Sequence, residues 1–415
     1  RGVTAAAASA ETMEAPQTVP TLPTWEELRQ ELLDTSHGAA LAARDQRRDE
    51  GLAPHTDAKV RYFGQGRGKP RVTLYRDQAA WCPYCQKVWL LLEAKGVDYE
   101  ISKVPMRSYG DKPDEFLQKV PRGLLPAIEI DGRLMTESLD IMFTIERVFS
   151  DAARPMFPPA PGPERVRATQ LLELERALFG AWCGFLFRPE VPFIGGNLND
   201  FEAALSQVDK ELASGSTDSP WFLGHAHPTI VDMQYVSHVE RMVASALYFK
   251  GYDIRGKFEH IDKWLVAFEK LPYYMATKSD YYTHCQDIPP QYGQPFESGS
   301  DEAERSRAAL DPRGSSLPLR WEDDPEPLTH EQRERPVEEF KAEAAWALVR
   351  NSAAVAKFCC RAAGGGVGDW GRGNPTRSAL SDPYARSAQD LVGPVSEALR
   401  AVAKSLVDQR FCDFE

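Results

Sequence analysis

The sequence has no apolar run long enough to cross a lipid bilayer, although 42% of its 415 residues are hydrophobic. A spanning helix needs roughly twenty apolar residues in succession, so no transmembrane span is predicted. Positive charge is also in deficit, because 49 Lys and Arg face 61 Asp and Glu, and the formal net charge is -12. This balance argues against a nucleic-acid partner, which a basic surface would attract.

Cysteine is scarce, and its odd number and uneven spacing do not fit the disulfide framework of a small secreted protein. A reducing compartment is the better prediction. The seven cysteines are Cys82, Cys85, Cys183, Cys285, Cys359, Cys360 and Cys412. No metal site is predicted either, because His225 and His227 have no third ligand nearby in the sequence.

Two of the cysteines lie one helical turn apart, in the segment Trp-Cys-Pro-Tyr-Cys at residues 81–85. An apolar run at residues 72–75 precedes them and predicts a strand, so Cys82 is expected at the N-terminus of the following helix. Unpaired N–H groups and the helix dipole favour a thiolate at that position. Cys82 is therefore a candidate nucleophile, and Cys85 is a candidate resolving thiol for thiol–disulfide exchange.

The pattern around these cysteines predicts an α/β unit at residues 71–150, in the order strand, helix, strand, helix, strand, strand, helix. Asp131-Gly132 marks a two-residue hairpin. Helical periodicity then dominates. The predicted regions are an N-terminal extension with one helix (1–70), the α/β domain (71–150), a linker (151–163), an all-helical domain (164–285), a linker or extended wrap (286–330) and a helical C-terminal extension (331–415).

The C-terminal extension carries two amphipathic stripes. Phe340, Ala344, Leu348, Asn351, Val355 and Phe358 form the first, and Leu391, Val395, Leu399, Val402 and Leu406 form the second. Because exposed apolar side chains are unfavourable in water, we expect the stripes to pair with each other and to pack on the core or on a partner. Cys359-Cys360 is predicted to pack, and the glycine-rich residues 364–373 are predicted to form a turn.

The order of these elements and their motifs resemble the glutathione transferase superfamily, over roughly residues 71–284. The Cys-Pro-Tyr-Cys segment is similar to glutaredoxins and to cysteine-type transferases. Gly-Leu-Leu-Pro-Ala at residues 123–127, Thr-Glu-Ser at 136–138, Asp-Lys-Pro at 111–113 and the helix-capping segment 228–232 add to it. The resemblance implies a thioredoxin-like N-terminal domain followed by an all-α domain, with helical extensions at both ends.

The resemblance also implies a site for glutathione. Leu125, before a cis Pro126, is expected to pair with the cysteinyl backbone of glutathione. Glu137 and Ser138 are expected to hold its γ-glutamyl group, and Lys112 its glycyl carboxylate. In the helical domain, Thr229 is expected to cap a helix while Asp232 reaches back to the cap.

The chain departs from common transferases, which use a tyrosine or serine hydroxyl where Cys82 stands. It also has a long C-terminal extension with a Cys359-Cys360 motif, which is similar to the iota class of photosynthetic organisms. That likeness implies a plastid, or otherwise a cytoplasmic, location. The first residue is Arg1 and residues 1–23 are rich in Ala, Thr and Pro, as after removal of an import segment or at an arbitrary start.

Three functions stay open at this stage. The first is a glutathione-dependent thiol transferase or reductase acting through Cys82. The second is a weakly catalytic or non-catalytic protein that uses its extensions to dock on a larger, photosynthetic assembly. The third is an iron–sulfur cluster held by Cys82 and glutathione across a dimer. The long extensions favour the second function, and the complete set of glutathione residues favours the first.

Overall fold

The structure is a computed structural model that describes residues 22–64, 67–106, 112–150, 154–159, 161–189, 197–215, 219–310, 336–363 and 388–408. Asp111, the glycine-rich segment 364–373 and Cys412 lie outside the described residues. Within those ranges, no helix is both long enough and apolar enough to cross a bilayer.

A five-stranded sheet forms the centre of the N-terminal domain. Its strands are β1 (Val60–Arg61), β2 (Val72–Asp77), β3 (Tyr99–Val104), β4 (Ala127–Ile130) and β5 (Arg133–Met135), in the order β1-β3-β2-β4-β5. Strands β2 and β3 are parallel, and β4 and β5 form the predicted hairpin at Asp131-Gly132. A parallel pair needs a crossover, which α3 supplies here. The predicted thioredoxin-like order of elements is confirmed.

Three helices complete this domain: α3 (Pro83–Lys95), α4 (Asp114–Lys119) and α5 (Ser138–Val148). Helix α3 ends where the sequence predicts, because Gly96 adopts the left-handed conformation that a helix C-terminus favours. Almost all of α3 is buried, since α5 and the helical domain pack against it. This packing holds the two ends of α3, including Cys82, in fixed positions.

The second domain is helical, as predicted. Its helices are α6 (Pro163–Phe187), α7 (Asn197–Ala213), α8 (Ile230–Lys250), α9 (Ile254–Lys257), α10 (Glu259–Glu269), α11 (Pro272–Thr277) and α12 (Tyr281–Gln286). Helix α8 is buried over most of its length. The predicted capping of α8 is confirmed, because the N–H of Thr229 donates to Asp232 Oδ2 at 2.8 Å.

The region predicted as a linker or wrap is partly helical. It contains α13 (Ile288–Tyr292) and α14 (Asp301–Leu310), and residues 311–335 lie outside the described part. Between these helices the chain follows the helical domain, because Phe296 N–H bonds to Leu186 O and Ser298 N–H bonds to Phe249 O. The wrap is therefore part of the second domain.

The N-terminal extension differs from the predicted single helix. It forms α1 (Trp25–Leu33) and α2 (Ser36–Asp49), which are separated by a sharp turn. Thr35 caps α2 by accepting a hydrogen bond from Gly38 N–H at 3.0 Å. A side chain at Gly38 would lie 1.9 Å from Leu32 O, so glycine is needed where the two helices meet. The same extension also supplies β1, the sheet's antiparallel edge strand.

The C-terminal extension forms α15 (Val337–Arg350), α16 (Ser352–Ala363) and α17 (Val392–Val407), with a short 3₁₀ turn at Gln389–Leu391 before α17. The helices pack on one another, as predicted, and also on α1 and α2, which was not predicted. We call α1, α2, α15, α16 and α17 the terminal bundle. Its small core consists of Leu28, Leu32, Ala345, Trp346, Val349 and Ala403.

The first predicted stripe is wrong in detail. Phe358 is 45% exposed, and Ala344 is exposed, whereas Ala345 and Trp346 are buried. The buried face of α15 is rotated from the predicted one because Trp346 meets α1 and α2. Trp346 Nε1 also donates to Asp45 Oδ2 at 2.8 Å, which fixes this rotation.

Candidate functional site

Cys82 is the N-cap residue of α3, at the place where the loop after β2 enters the helix. Its backbone is extended, Pro83 is the first helical residue, and the N–H groups of Cys85 and Gln86 donate to Cys82 O at 3.1 Å each. The side chain is only partly buried. The sequence therefore places a thiol within reach of solvent at the positive end of a helix, where an anion is stabilised.

Cys85 lies one turn further along α3 and is only 1% exposed. Burial raises the pKa of the Cys85 thiol well above its usual value, and a hydrogen bond with Cys82 and the charges of Cys82 and Asp77 add to this. Cys85 is therefore a protonated thiol at rest. It sits beneath Cys82, as a resolving thiol must.

Asp77, the last residue of β2, completes this group, although the sequence analysis did not single it out. Its side chain is fully buried, and Oδ2 accepts a hydrogen bond from Trp81 N–H at 2.7 Å. Within the described ranges, Oδ1 has no hydrogen-bond partner. A carboxylate oxygen of Asp77 and the sulfurs of Cys82 and Cys85 all lie within 4.8 Å of one another. A buried acid thus faces both thiols.

Arg241 of α8 holds the backbone next to Cys82 from the helical domain. Its guanidinium donates to Trp81 O from Nε at 2.8 Å and from Nη2 at 2.5 Å. The same side chain donates to Gln86 Oε1 at 2.6 Å. The residues on both sides of the Cys-Pro-Tyr-Cys segment are therefore fixed by one buried cation, 160 residues away along the chain.

Leu125 and Pro126 lie beside the end of β2 that leads to Cys82. The peptide bond between them is cis, as the resemblance implies. Tyr75 pairs with Ala127, so the two residues before Ala127 lie next to the last residues of β2. Within the described ranges, no hydrogen bond to the Leu125 backbone is found.

Lys112 lies over the turn that precedes Leu125. Its side chain passes Gly123, whose φ is +61° and where a Cβ would come within 3.1 Å of the Lys112 chain. Lys112 Nζ donates to Pro105 O. Burial lowers the pKa of Lys112, while the negative charges of Cys85, Cys82 and Asp77 oppose that shift. The lysine therefore adds positive charge to the edge of the thiol site.

Glu137 and Ser138 lie at the same end of the sheet. Met135 of β5 pairs with Ile128, so the residues that follow Met135 lie near the start of β4. Glu137 has φ +65°, a conformation that costs energy in a residue other than glycine and is concentrated at functional sites. Ser138 begins α5, whose N-terminus favours a carboxylate. The register therefore places Glu137 and Ser138 near the start of β4, which directly follows Leu125 and Pro126.

Aromatic side chains of the helical domain lie near Cys82. The ring of Tyr292 is 5.7 Å from that of Trp81, and the charge of Cys82 contributes to raising the pKa of Tyr292, after burial and Tyr84. Trp182 and Phe187 both contact Tyr292. Phe185 stacks instead on Phe201 in the core. Tyr292 was missed because it lies in the region predicted as a linker.

A buried polar network connects α3 with α6 and α8. Lys87 Nζ donates to Gln234 Oε1 at 2.9 Å, and Gln234 in turn donates to Glu175. Burial lowers the pKa of Lys87 to about 8. Tyr84, the third residue of the Cys-Pro-Tyr-Cys segment, packs its ring 4.8 Å from Lys87 Nζ. The two domains are thus joined by polar as well as apolar contacts.

The sheet order, the helical second domain and the thiol beside a cis proline define a two-domain transferase fold. The family model "Glutathione S-transferase, N-terminal domain" matches residues 81–148, and "Glutathione S-transferase, C-terminal domain" matches residues 191–267. Neither match includes the terminal bundle.

Curated proteins are similar to about half of this chain. Pyrimidodiazepine synthase of Drosophila melanogaster is 30% identical over 203 residues, which cover 47% of this chain and 76% of that protein. Glutathione S-transferase L3 of Arabidopsis thaliana is 26% identical over 204 residues, or 48% of this chain and 79% of that protein. The chain belongs to the glutathione S-transferase superfamily.

Solved structures of the superfamily are also similar to this chain. Glutathione transferase Omega 3C from Trametes versicolor is 25% identical, with a TM-score of 0.45, and the match covers 52% of this chain and 92% of that one. Chlamydomonas reinhardtii dehydroascorbate reductase is 20% identical, with a TM-score of 0.43, over 54% of this chain and all of that one.

Proposed function

We propose that the protein is a glutathione-dependent thiol transferase and reductase in which Cys82 is the nucleophile. The observation that supports this most directly is that an accessible thiol and a buried thiol lie one turn apart at the N-terminus of the same helix. Cys82 is reachable from solvent, whereas Cys85 is buried beneath it with a raised pKa. Glutathione is the proposed co-substrate, bound by Lys112, Leu125, Pro126, Glu137 and Ser138.

The first proposed reaction needs only Cys82. Its thiolate attacks the glutathionyl sulfur of a mixed disulfide, the S–S bond breaks, and the substrate leaves as a thiolate that takes a proton from solvent. A second glutathione, as thiolate, then attacks the glutathionyl sulfur of the Cys82–glutathione disulfide, and the bond to the Cys82 sulfur breaks. Glutathione disulfide leaves, and the Cys82 thiolate is regenerated at the helix end that stabilises it.

The second proposed reaction uses Cys85 as well. Because Cys85 is protonated at rest, it must lose a proton before it can attack Cys82, and a carboxylate oxygen of Asp77 lies within 4.8 Å of the Cys85 sulfur. Asp77 Oδ1 accepts that proton, Cys85 attacks the Cys82 sulfur, and glutathione leaves as thiolate. Two further glutathione molecules reduce the Cys82–Cys85 disulfide and leave as glutathione disulfide.

Docking on a larger assembly is proposed as an additional role, and the terminal bundle is the observation that favours it. The bundle has its own core, and among the described residues it adds nothing to the thiol site. A plastid location and iota-class membership belong to the same proposal. A relative named "Glutathione S-transferase L2, chloroplastic", from Arabidopsis thaliana, is 26% identical over 200 residues.

The thiol-transfer proposal is tested by trapping the enzyme–glutathione adduct. After incubation with glutathione disulfide, intact-mass measurement should find one stable glutathione on Cys85→Ser, none on Cys82→Ser, and an internal disulfide in the unmodified protein. Cys183→Ser, which changes a partly buried thiol outside the pair, is the matched control and should behave like the unmodified protein. An adduct that persists in Cys82→Ser would overturn the assignment of the nucleophile.

A further inference from the structure

We propose that the reduced thiol site also binds one thiophilic divalent cation of the zinc type, through Asp77, Cys82 and Cys85. This inference does not depend on the proposed thiol transfer. The three side chains would bind the ion as ligands whether or not Cys82 reacts with glutathione. A carboxylate oxygen and two thiol sulfurs lie within 4.8 Å of one another. Among the described residues, they are the one group of His, Cys, Asp and Glu side chains gathered so closely.

The spacing suits a small tetrahedral ion. Zinc binds sulfur at about 2.3 Å and carboxylate oxygen at about 2.0–2.2 Å, which puts tetrahedral ligands roughly 3.5–3.8 Å apart. From within 4.8 Å, the ligand atoms need to approach one another by about 1.3 Å at most to reach these separations. Asp77 and Cys85 are buried and close the inner side of the site, whereas the partly exposed Cys82 leaves a route for the ion.

An independent observation points to a cation. Asp77 is 0% exposed, yet its Oδ1 has no hydrogen-bond partner among the described residues. A buried carboxylate oxygen without a partner is costly. The neighbouring Arg76 makes no hydrogen bond to it: two of its guanidinium nitrogens donate to the Asp77 and Thr56 carbonyls, and the group lies 4.0 Å from the Trp89 ring. A metal ion would satisfy this oxygen.

The binding reaction balances without any oxidant. Two thiols lose their protons to solvent, and two thiolates and one carboxylate surround a 2+ ion, so the site carries one net negative charge next to Lys112. Binding should strengthen as pH rises, because protons compete for the sulfurs. A Cys82–Cys85 disulfide removes two of the three ligands. Metal binding and thiol transfer are therefore mutually exclusive states of one site.

The test is a titration of the reduced full-length protein with cadmium, followed by the ultraviolet absorption of cadmium–thiolate bonds, and with zinc against a chromophoric chelator. We expect one ion per chain and its release on oxidation by diamide. Asp77→Asn should weaken binding at least about tenfold, since even the loss of an outer-sphere partner costs 10- to 100-fold. Cys82→Ser and Cys85→Ser should each halve the cadmium–thiolate absorption or abolish binding.

Two control variants, Cys183→Ser and Cys360→Ser, change thiols far from this group in the sequence and should bind as the unmodified protein does. The proposal is overturned if the unmodified protein binds no ion, or if binding is unchanged in the Cys82, Cys85 or Asp77 variants. Circular dichroism identifies a variant that fails to fold, and the two serine variants then decide the outcome. Absent metal binding with normal glutathione trapping would refute this inference alone and leave the proposed enzyme activity standing.

Discussion

The chain contains two closely spaced cysteine pairs with contrasting surroundings. Cys82 and Cys85 lie at the start of a helix, one turn apart, with a buried acid beside them. Cys359 and Cys360 are adjacent residues in the second half of α16, where the helix dipole offers an anion no stabilisation. Cys360 is fully buried, as predicted, and Cys359 is partly buried. Only the first pair combines access, a charged neighbour and a favourable helix end.

The comparison indicates that reactivity here is set by position in the fold and not by the presence of two thiols. On a helix, adjacent residues point about 100° apart, so Cys359 and Cys360 face different surroundings. Residues three apart, such as Cys82 and Cys85, lie on one face. The backbone of Cys360 also contacts the residue just before the 3₁₀ turn that precedes α17, since Ala388 N–H donates to Cys360 O at 3.1 Å. The second pair is therefore structural.

The comparison is tested most strongly by Asp77→Asn, which removes the proposed base but keeps an acceptor for Trp81 N–H. We expect dithiol disulfide reduction near neutral pH to slow by at least about a hundredfold, the low end of general-base contributions. Because the pKa of Cys85 is raised, the rate in this variant should recover as pH rises and the thiolate forms unaided. Stopped-flow kinetics against pH measures both effects.

The control for that prediction is Asp77→Asn in a Cys85→Ser background. Deglutathionylation through Cys82 alone should be nearly the same in the single and the double variant. Slower deglutathionylation in the double variant than in Cys85→Ser would mean that Asp77 acts on Cys82, or on the fold, and not on the resolving thiol.

Acid should weaken the contacts that hold the backbone beside Cys82. Arg241, which donates to Trp81 O, also donates to Glu240. Burial acts to raise the pKa of Glu240, but Arg241 and His284 outweigh it and lower that pKa to about 2, from an ordinary 4.5. A carboxyl whose pKa is lower when folded adds stability above about pH 4.5, and this stability is lost as pH falls toward 2. Urea unfolding of the unmodified protein and of Glu240→Gln should therefore differ by a constant amount above pH 5 and converge toward pH 2.

Convergence is the decisive feature of that experiment. A difference that stays constant from pH 7 to pH 2 would mean that the charge of Glu240 does not support the fold. Arg241 also donates to Trp81 O, next to Cys82. Iodoacetamide labelling of Cys82 in Glu240→Gln would therefore report whether this hydrogen bond still holds the backbone beside Cys82.

A smaller effect is expected at the glutathione site. Lys112→Ala and Ser138→Ala should each weaken glutathione binding by roughly 1–3 kcal/mol, the size of a lost hydrogen bond to a charged group. Calorimetry on the Cys82→Ser protein separates binding from chemistry. Lys103→Ala, which removes a cation paired with Asp57 outside the site, is the matched control. Unchanged affinity in both site variants would remove these residues from the proposed site.

Local sequence patterns predicted the elements that depend on neighbours along the chain. The Asp131-Gly132 hairpin, the Gly96 helix end and the Thr229 cap each involve contacts within a few residues. Cys82 and Cys85 were found for the same reason, because a helix N-terminus can be identified from the strand before it and the proline after it.

The parts that sequence reasoning missed depend on contacts between distant segments. Arg241 contacts a backbone oxygen 160 residues away, and nothing in its own neighbourhood distinguishes it from other arginines of the sequence. Tyr292 lies in a polar, proline-containing region that indicated a linker. The pairing of both chain ends in the terminal bundle was also missed, since each amphipathic helix indicates a buried face without identifying what covers it.

The smallest effect is predicted for Cys359 and Cys360. This prediction tests directly whether only the first cysteine pair is reactive. Cys359→Ser should leave glutathione trapping unchanged, because this thiol lies outside the described thiol site. Cys360→Ala should also leave trapping unchanged, while the small cavity it creates lowers the stability of the terminal bundle by about 1 kcal/mol. Amide hydrogen exchange should then speed up in α16 and α17 but not in α3. A loss of trapping in either variant would show that the second pair takes part in the chemistry.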